Sequence, residues 1–140
     1  MNLVSILRAA VRSPLNLYKL VRLLLLMQKK QVEEINRLES VFFHPDYQCV
    51  IGGTSRISGT YDGWSDYRDR IILGEVQTPG KVRSITTGKD SITLSTHLTG
   101  HRDGKSLDLD VDFVFVFADH RISKQQSIPA DNQQWSAFWE

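Results

Sequence analysis

The chain has 140 residues, 41% of them hydrophobic, and a formal charge of +1. That is enough for one globular domain with a buried core. The near-neutral balance excludes nucleic acid as the main partner, because phosphate binding needs clustered cations. The single cysteine, Cys49, excludes an internal disulfide, and a reducing, cytoplasmic setting is the expectation that follows.

The first thirty residues depart from the average, with Arg8, Arg12, Lys19, Arg22, Lys29 and Lys30 and no acidic residue. Met1 to Arg12 places Leu3, Val4, Leu7, Ala10 and Val11 at helical spacing, which predicts a short amphipathic helix. Its apolar side is expected to pack on its own domain or on a partner subunit, or else to touch an anionic membrane surface. The most apolar run, Leu20 to Met27, is interrupted by Arg22 and falls far short of the roughly 20 residues of a membrane span. With no small-residue cleavage site after it, the segment does not read as a secretory signal.

Ser13 and Pro14 open a new helix. Leu17, Leu20, Val21, Leu24, Met27, Gln31, Val32, Ile35, Leu38 and Phe42 continue its stripe as one long helix or two abutting ones. His44, Pro45 and Asp46 are expected to end it, and Tyr47 to Ile51 to form a strand. Gly52 and Gly53 turn the chain, Arg56 to Ser58 is read as a brief extended piece, and Ser58 to Gly63 as a turn. A helix from Gly63 carries Trp64, Tyr67, Ile71 and Ile72 on one face until Thr78, Pro79 and Gly80 stop it.

Lys81 to Thr86 is a modest strand. Ser91 to Thr99 alternates, with Ile92, Leu94, Thr96 and Leu98 on one face and Ser91, Thr93, Ser95, His97 and Thr99 on the other. Asp103 and Gly104 supply a tight hairpin turn into the stretch around which the chain is organised. There two apolar runs, Ser106 to Ala118 and Ile122 to Ile128, flank the polar break Asp119, His120, Arg121. Asp131 followed by Gln134 fits a capping box for a last helix with Trp135, Phe138 and Trp139.

Three aspartates, Asp108, Asp110 and Asp112, alternate along the central strand and share one face with Val114 and Val116. Two environments fit Asp112. Inside an apolar cavity it would resist ionisation and donate a hydrogen bond; on a solvated or arginine-paired face it would be an ordinary carboxylate. His97 pairs with about Asp110 across the hairpin, near enough for an acid and a base to meet. Tyr67 is expected to line a pocket mouth with Tyr61 and Trp64, or else to pack its helix on the sheet. Tyr61, Trp64, Val114, Val116 and Ile51 are expected to contact a ligand. No histidine and carboxylate spacing suggests a metal, no glycine-rich loop suggests phosphate, and no cofactor is expected.

Helices first, then a strand, a helix and four consecutive antiparallel strands predict an α+β fold. In this order, the strings Phe43-His44-Pro45-Asp46, Ser58-Gly59-Thr60-Tyr61-Asp62-Gly63, Asp103-Gly104-Lys105 and Pro129-Ala130-Asp131 with Phe138-Trp139 resemble the SnoaL-like branch of the nuclear transport factor 2-like (NTF2-like) superfamily. The resemblance implies a cone, a curved antiparallel sheet with N-terminal helices packed over its concave face. It covers residues 15–140 as a single domain and leaves residues 1–14 as an extra amphipathic helix.

Against the ketosteroid isomerases of that superfamily, the helix tyrosine falls on Tyr67 and the oxyanion-stabilising aspartate on Asp112. The general-base position falls on Ile51 and the first-helix tyrosine near Met27. The epoxide-hydrolase carboxylate lands close to Gln126. The resemblance implies binding of an apolar, oxygen-bearing small molecule and a homodimer through the outer sheet face. If the protein is an enzyme, it implies a cofactor-free isomerase, cyclase or dehydratase in which Asp112 and His97 carry protons and Tyr67 orients the substrate. The alternative is a non-catalytic interaction module whose basic N-terminal helix contacts a partner or membrane.

Overall fold

The computed structural model describes residues 3–72 and 80–140; Thr78 and Pro79, expected to stop the helix after Gly63, lie outside them. Helices α1 (Leu3–Arg12) and α2 (Pro14–Gln28) abut at Ser13. The Ser13 amide donates to the Ala9 carbonyl, and the Leu17 amide to that of Ser13, both at 2.9 Å. The Ser13 side chain makes no capping bond, so the junction rests on Pro14, which has no amide to satisfy in the first turn. After Lys30, in the left-handed region at φ 53°, come α3 (Val32–Arg37) and α4 (Glu39–Phe42).

Strand β1 (Phe43–Ile51) begins earlier than its proline suggests. Its pairing with β6 (Arg121–Pro129) is irregular between Phe43 and Gln48, so Pro45 sits where no ladder amide is needed. Ser58 to Gly63, expected as a turn, is mostly the short edge strand β2 (Gly59–Asp62), paired antiparallel to β1. The expected extended piece Arg56 to Ser58 is a turn, in which the Ser58 hydroxyl accepts from the Ser55 amide and donates to the Gly52 carbonyl. Helix α5 (Gly63–Tyr67) runs into one π turn, Arg68–Ile72.

Strands β3 (Gly80–Thr87), β4 (Ser91–Arg102), β5 (Lys105–Ala118) and β6 form the antiparallel meander, and the sheet order is β2-β1-β6-β5-β4-β3. The sheet is mixed, which corrects the expected all-antiparallel arrangement. The meander returns β6 in the direction of β1, and the two pair in parallel, as a long connection permits. Both long hairpins turn on two consecutive left-handed residues, Asp103–Gly104 and Asp119–His120, whose twist matches that of the strands they join.

Helix α1 lies on β3, where the Ser5 hydroxyl accepts from the Ile85 amide at 3.2 Å and Ala9 is fully buried. Helices α2 to α4 cover the concave face, with Leu17, Leu20, Ile35 and Phe42 packed in one core with Ile92, Val111, Phe115 and Ile122. Helix α6 (Asn132–Trp139) closes the end of the cone. Asp131 caps it by accepting from the Gln134 amide, but the Gln134 side chain accepts from the Asp108 amide instead of reaching back. The expected capping box is therefore half a box, and its second half ties α6 to β5.

Trp64, 1% exposed, stacks on Phe43 with ring centroids 5.2 Å apart and donates its indole N–H to the Asn36 side chain at 2.7 Å. This bond joins α5 to α3. Asn36→Ala strands a buried donor and is expected to lower stability by about 1–3 kcal/mol, measured by urea unfolding, whereas Asn36→Asp keeps the acceptor and loses less.

Candidate functional site

Between the sheet and its helices lies a cavity of about 690 Å³. Side-chain alternation decides its walls. Leu94, Thr96 and Leu98 of β4, Phe113 and Phe115 of β5, and Gln125 and Ser127 of β6 face inward. Leu24 and Met27 of α2 form the roof, and Ile51, Ile57, Tyr67, Ile71, Val82, Trp135 and Trp139 add to the lining. Gln28, Lys30 and Gly80, which also line it, are exposed and mark the mouth.

Polar groups are few in and behind this apolar chamber. The Tyr47 hydroxyl donates to the Gln125 side-chain oxygen at 3.0 Å, and Tyr67 and Gln125 both line the cavity. Burial pushes the Tyr67 phenol well above its ordinary pKa, so it is a neutral donor at physiological pH. The Thr96 hydroxyl gives its proton to the Val111 carbonyl at 2.7 Å. Cys49, fully buried in β1, has its thiol pushed up to about 12 by desolvation, which makes it an inert packing residue.

The indole N–H groups of Trp135 and Trp139 are buried and have no hydrogen-bond partner among the described residues. Both residues are 4% exposed. The two rings meet edge to face at 5.7 Å. Arg102 holds Trp139 from outside, with its guanidinium 5.5 Å from the ring centroid.

Of the residues singled out from the sequence, Tyr67 and Ile51 line the cavity. Tyr61 stands behind Tyr67, edge to face at 6.3 Å, with its hydroxyl bonded to the Ile57 carbonyl. Trp64 lines a separate cleft of about 220 Å³ together with His44 and Arg121. Asp112, Val114 and Val116 do not enter the cone. They lie on the opposite face of β5 from Phe113 and Phe115, and Asp112 is exposed. The inward position goes to the odd-numbered residues because those are the larger apolar ones.

His97 does stand opposite Asp110 in the β4–β5 register, as the hairpin spacing predicts, but on that same convex face. Its ring is held between Asp110, at 2.7 Å, and Asp108, and Arg83 reaches Asp110 at 3.5 Å. An acid and a base meet there, outside the chamber. The side chains that build the chamber and went unrecognised as a site are Phe113, Phe115, Gln125, Ser127, Trp135 and Trp139. The strict alternation of β5 and the paired tryptophans were their signal.

No protein-family model matches the sequence, and no curated protein does. Solved structures do match. An NTF2-like protein from Burkholderia xenovorans LB400 aligns at a TM-score of 0.74 and 10% identity, over 91% of this chain and 97% of that one. A protein named as a SnoaL-like polyketide cyclase, from Jannaschia Sp. CCS1, aligns at 0.68 and 14% identity, over 91% and 93%. TerC, co-crystallized with polyporic acid, aligns at 0.68 and 17% identity, over 89% and 97%. The fold is the NTF2-like cone, of the kind carried by SnoaL-like proteins.

The hydrogen bonds from Asp110 first, then Asp108, raise the His97 pKa above its ordinary value. A raised folded-state value means that this group's contribution to stability is present at acid pH and is lost as pH climbs through the raised pKa. An NMR titration of the His97 ring is expected to give a midpoint above about 6.5, and Asp110→Asn to bring it down.

Proposed function

We propose that the protein binds an apolar small molecule carrying oxygen acceptors inside the cone. One observation carries the reading: Trp135 and Trp139, whose buried indole N–H groups have no partner among the described residues, line an apolar cavity large enough for a small molecule. A buried donor left without an acceptor costs about 1–3 kcal/mol. Indoles only donate, and Tyr67 adds a neutral phenol to the same lining. The complementary ligand presents carbonyl or ether oxygens and hides its hydrocarbon surface against Leu94, Leu98, Phe113 and Phe115. The polyporic acid held by TerC and the cyclase name of the Jannaschia protein support a small-molecule occupant for a cone of this shape.

Binding is favoured over turnover. Among the described residues that line the cavity, the titratable groups are Tyr67 and Lys30, and Lys30 stands at the mouth. No carboxylate or imidazole accompanies Tyr67 there to accept a proton, whereas Asp112 and His97 face away across the sheet. Isomerisation, cyclisation or dehydration through those two groups is therefore not part of the proposal.

A thermal-shift panel of cyclic ketones, polyketides and steroids identifies the best ligand, and calorimetry then measures its affinity. Trp135→Phe, Trp139→Phe and Tyr67→Phe are each expected to weaken binding by about five- to tenfold, the worth of one hydrogen bond. Asp112→Asn and His97→Ala are expected to leave affinity unchanged. Equal affinity across the first three variants, or a loss with Asp112→Asn, overturns the assignment.

A further inference from the structure

We propose that α1 and α2 form a docking surface for an anionic lipid bilayer, lying in its interface without crossing it. An amphipathic helix on a globular domain ordinarily turns its apolar stripe inward. Here α1 leaves most of its large apolar side chains outside. Its domain side carries Ala9, Ser5 and the partly buried Ile6, while Leu3, Val4, Leu7 and Val11 are 66, 54, 56 and 83% exposed. Helix α2 adds a second outward row at three- and four-residue spacing, Leu15, Tyr18, Val21 and Leu25, each between 45 and 62% exposed. Eight of the ten large hydrophobics exposed among the described residues belong to these two helices, so the apolar surface is concentrated there.

Charge identifies the occupant. Residues 1–32 contain six lysines and arginines and no acid, against eleven cations and sixteen acids in the rest of the chain. Arg8, Arg12 and Lys29 are exposed on or beside the apolar rows. A second copy would set this cationic surface against itself. An anionic bilayer attracts it and takes up aliphatic side chains without demanding a complementary shape. Among the described residues no helix is long and apolar enough to cross a membrane, which leaves the interface.

The placement has a consequence for the cavity. The last turns of α2 expose Val21 and Leu25 on one side and give Leu24 and Met27 to the cavity lining on the other. Docking through α2 brings the mouth at Gln28 and Lys30 to the bilayer surface, where apolar ligands concentrate. This consequence rests on the binding function proposed above; the docking itself does not.

The test is sedimentation of the full chain with sucrose-loaded vesicles of phosphatidylcholine alone and of phosphatidylcholine mixed with phosphatidylglycerol. The expected result is association with the anionic vesicles, weakened by salt and far weaker on neutral ones. Leu7→Glu with Val11→Glu, and separately Arg8→Glu with Arg12→Glu, are expected to lower partitioning by about tenfold or more. Circular dichroism and the thermal midpoint should stay unchanged, since all four side chains are exposed. Three results would each overturn the proposal: no vesicle association by the unaltered chain, equal association by the variants, or a dimer in solution that Leu7→Glu with Val11→Glu dissolves while vesicles are ignored.

Discussion

The structure depends on the strict two-residue period of the central strands. In β5 the odd positions, Leu107, Leu109, Val111, Phe113, Phe115 and Phe117, form an unbroken apolar row, while the even ones begin Asp108, Asp110, Asp112. A shift of one residue would bury three carboxylates and expose three phenylalanines, so the register has a single tolerable setting. With it fixed, the pairing of β4 to β5 sends Leu94, Thr96 and Leu98 to the same concave side and His97 to the convex one. The walls of the chamber and the chemistry of its outside are settled together.

Much of this was legible in the sequence. Helical spacing marks α1 and α2, Asp103–Gly104 marks the β4–β5 hairpin, and the alternation in β4 is correct residue by residue. The pairing of His97 with Asp110 was also readable from the turn position alone. The orientation of Asp112 stayed open between two environments because Val114 and Val116 continue its face and look like a core. The competing row was stronger, since its residues are larger and none is polar, and burial of area decides such a contest. The parallel pairing of β1 with β6 was not legible, because hairpin signals act locally while that contact joins strands about eighty residues apart. Pro45 misled in the same way, its position in an irregular stretch of pairing being a tertiary fact.

The interior is unusual in the balance of its polar groups. Tyr47 is bonded to Gln125, and Thr96 is satisfied by its own sheet. Trp64, in the smaller cleft, has Asn36. Trp135 and Trp139 stand apart from this economy. A folded chain keeps few buried donors idle, and two of them on one short helix that lines the cavity beside Tyr67 are what the proposed ligand would satisfy. A carboxylate or imidazole in that space would have described proton transfer; both kinds of group lie on the other side of the sheet.

The three tryptophans allow this account to be tested directly, through their indole N–H signals in a ¹H–¹⁵N spectrum. In the free protein Trp64 should show the shift of a hydrogen-bonded indole, and Trp135 and Trp139 those of unbonded ones. On titration with the best ligand of the panel, the Trp135 and Trp139 signals should move toward the bonded range while Trp64 stays. Bonded shifts for Trp135 and Trp139 before any ligand is added, or a ligand that moves Trp64 and leaves the other two in place, would contradict it.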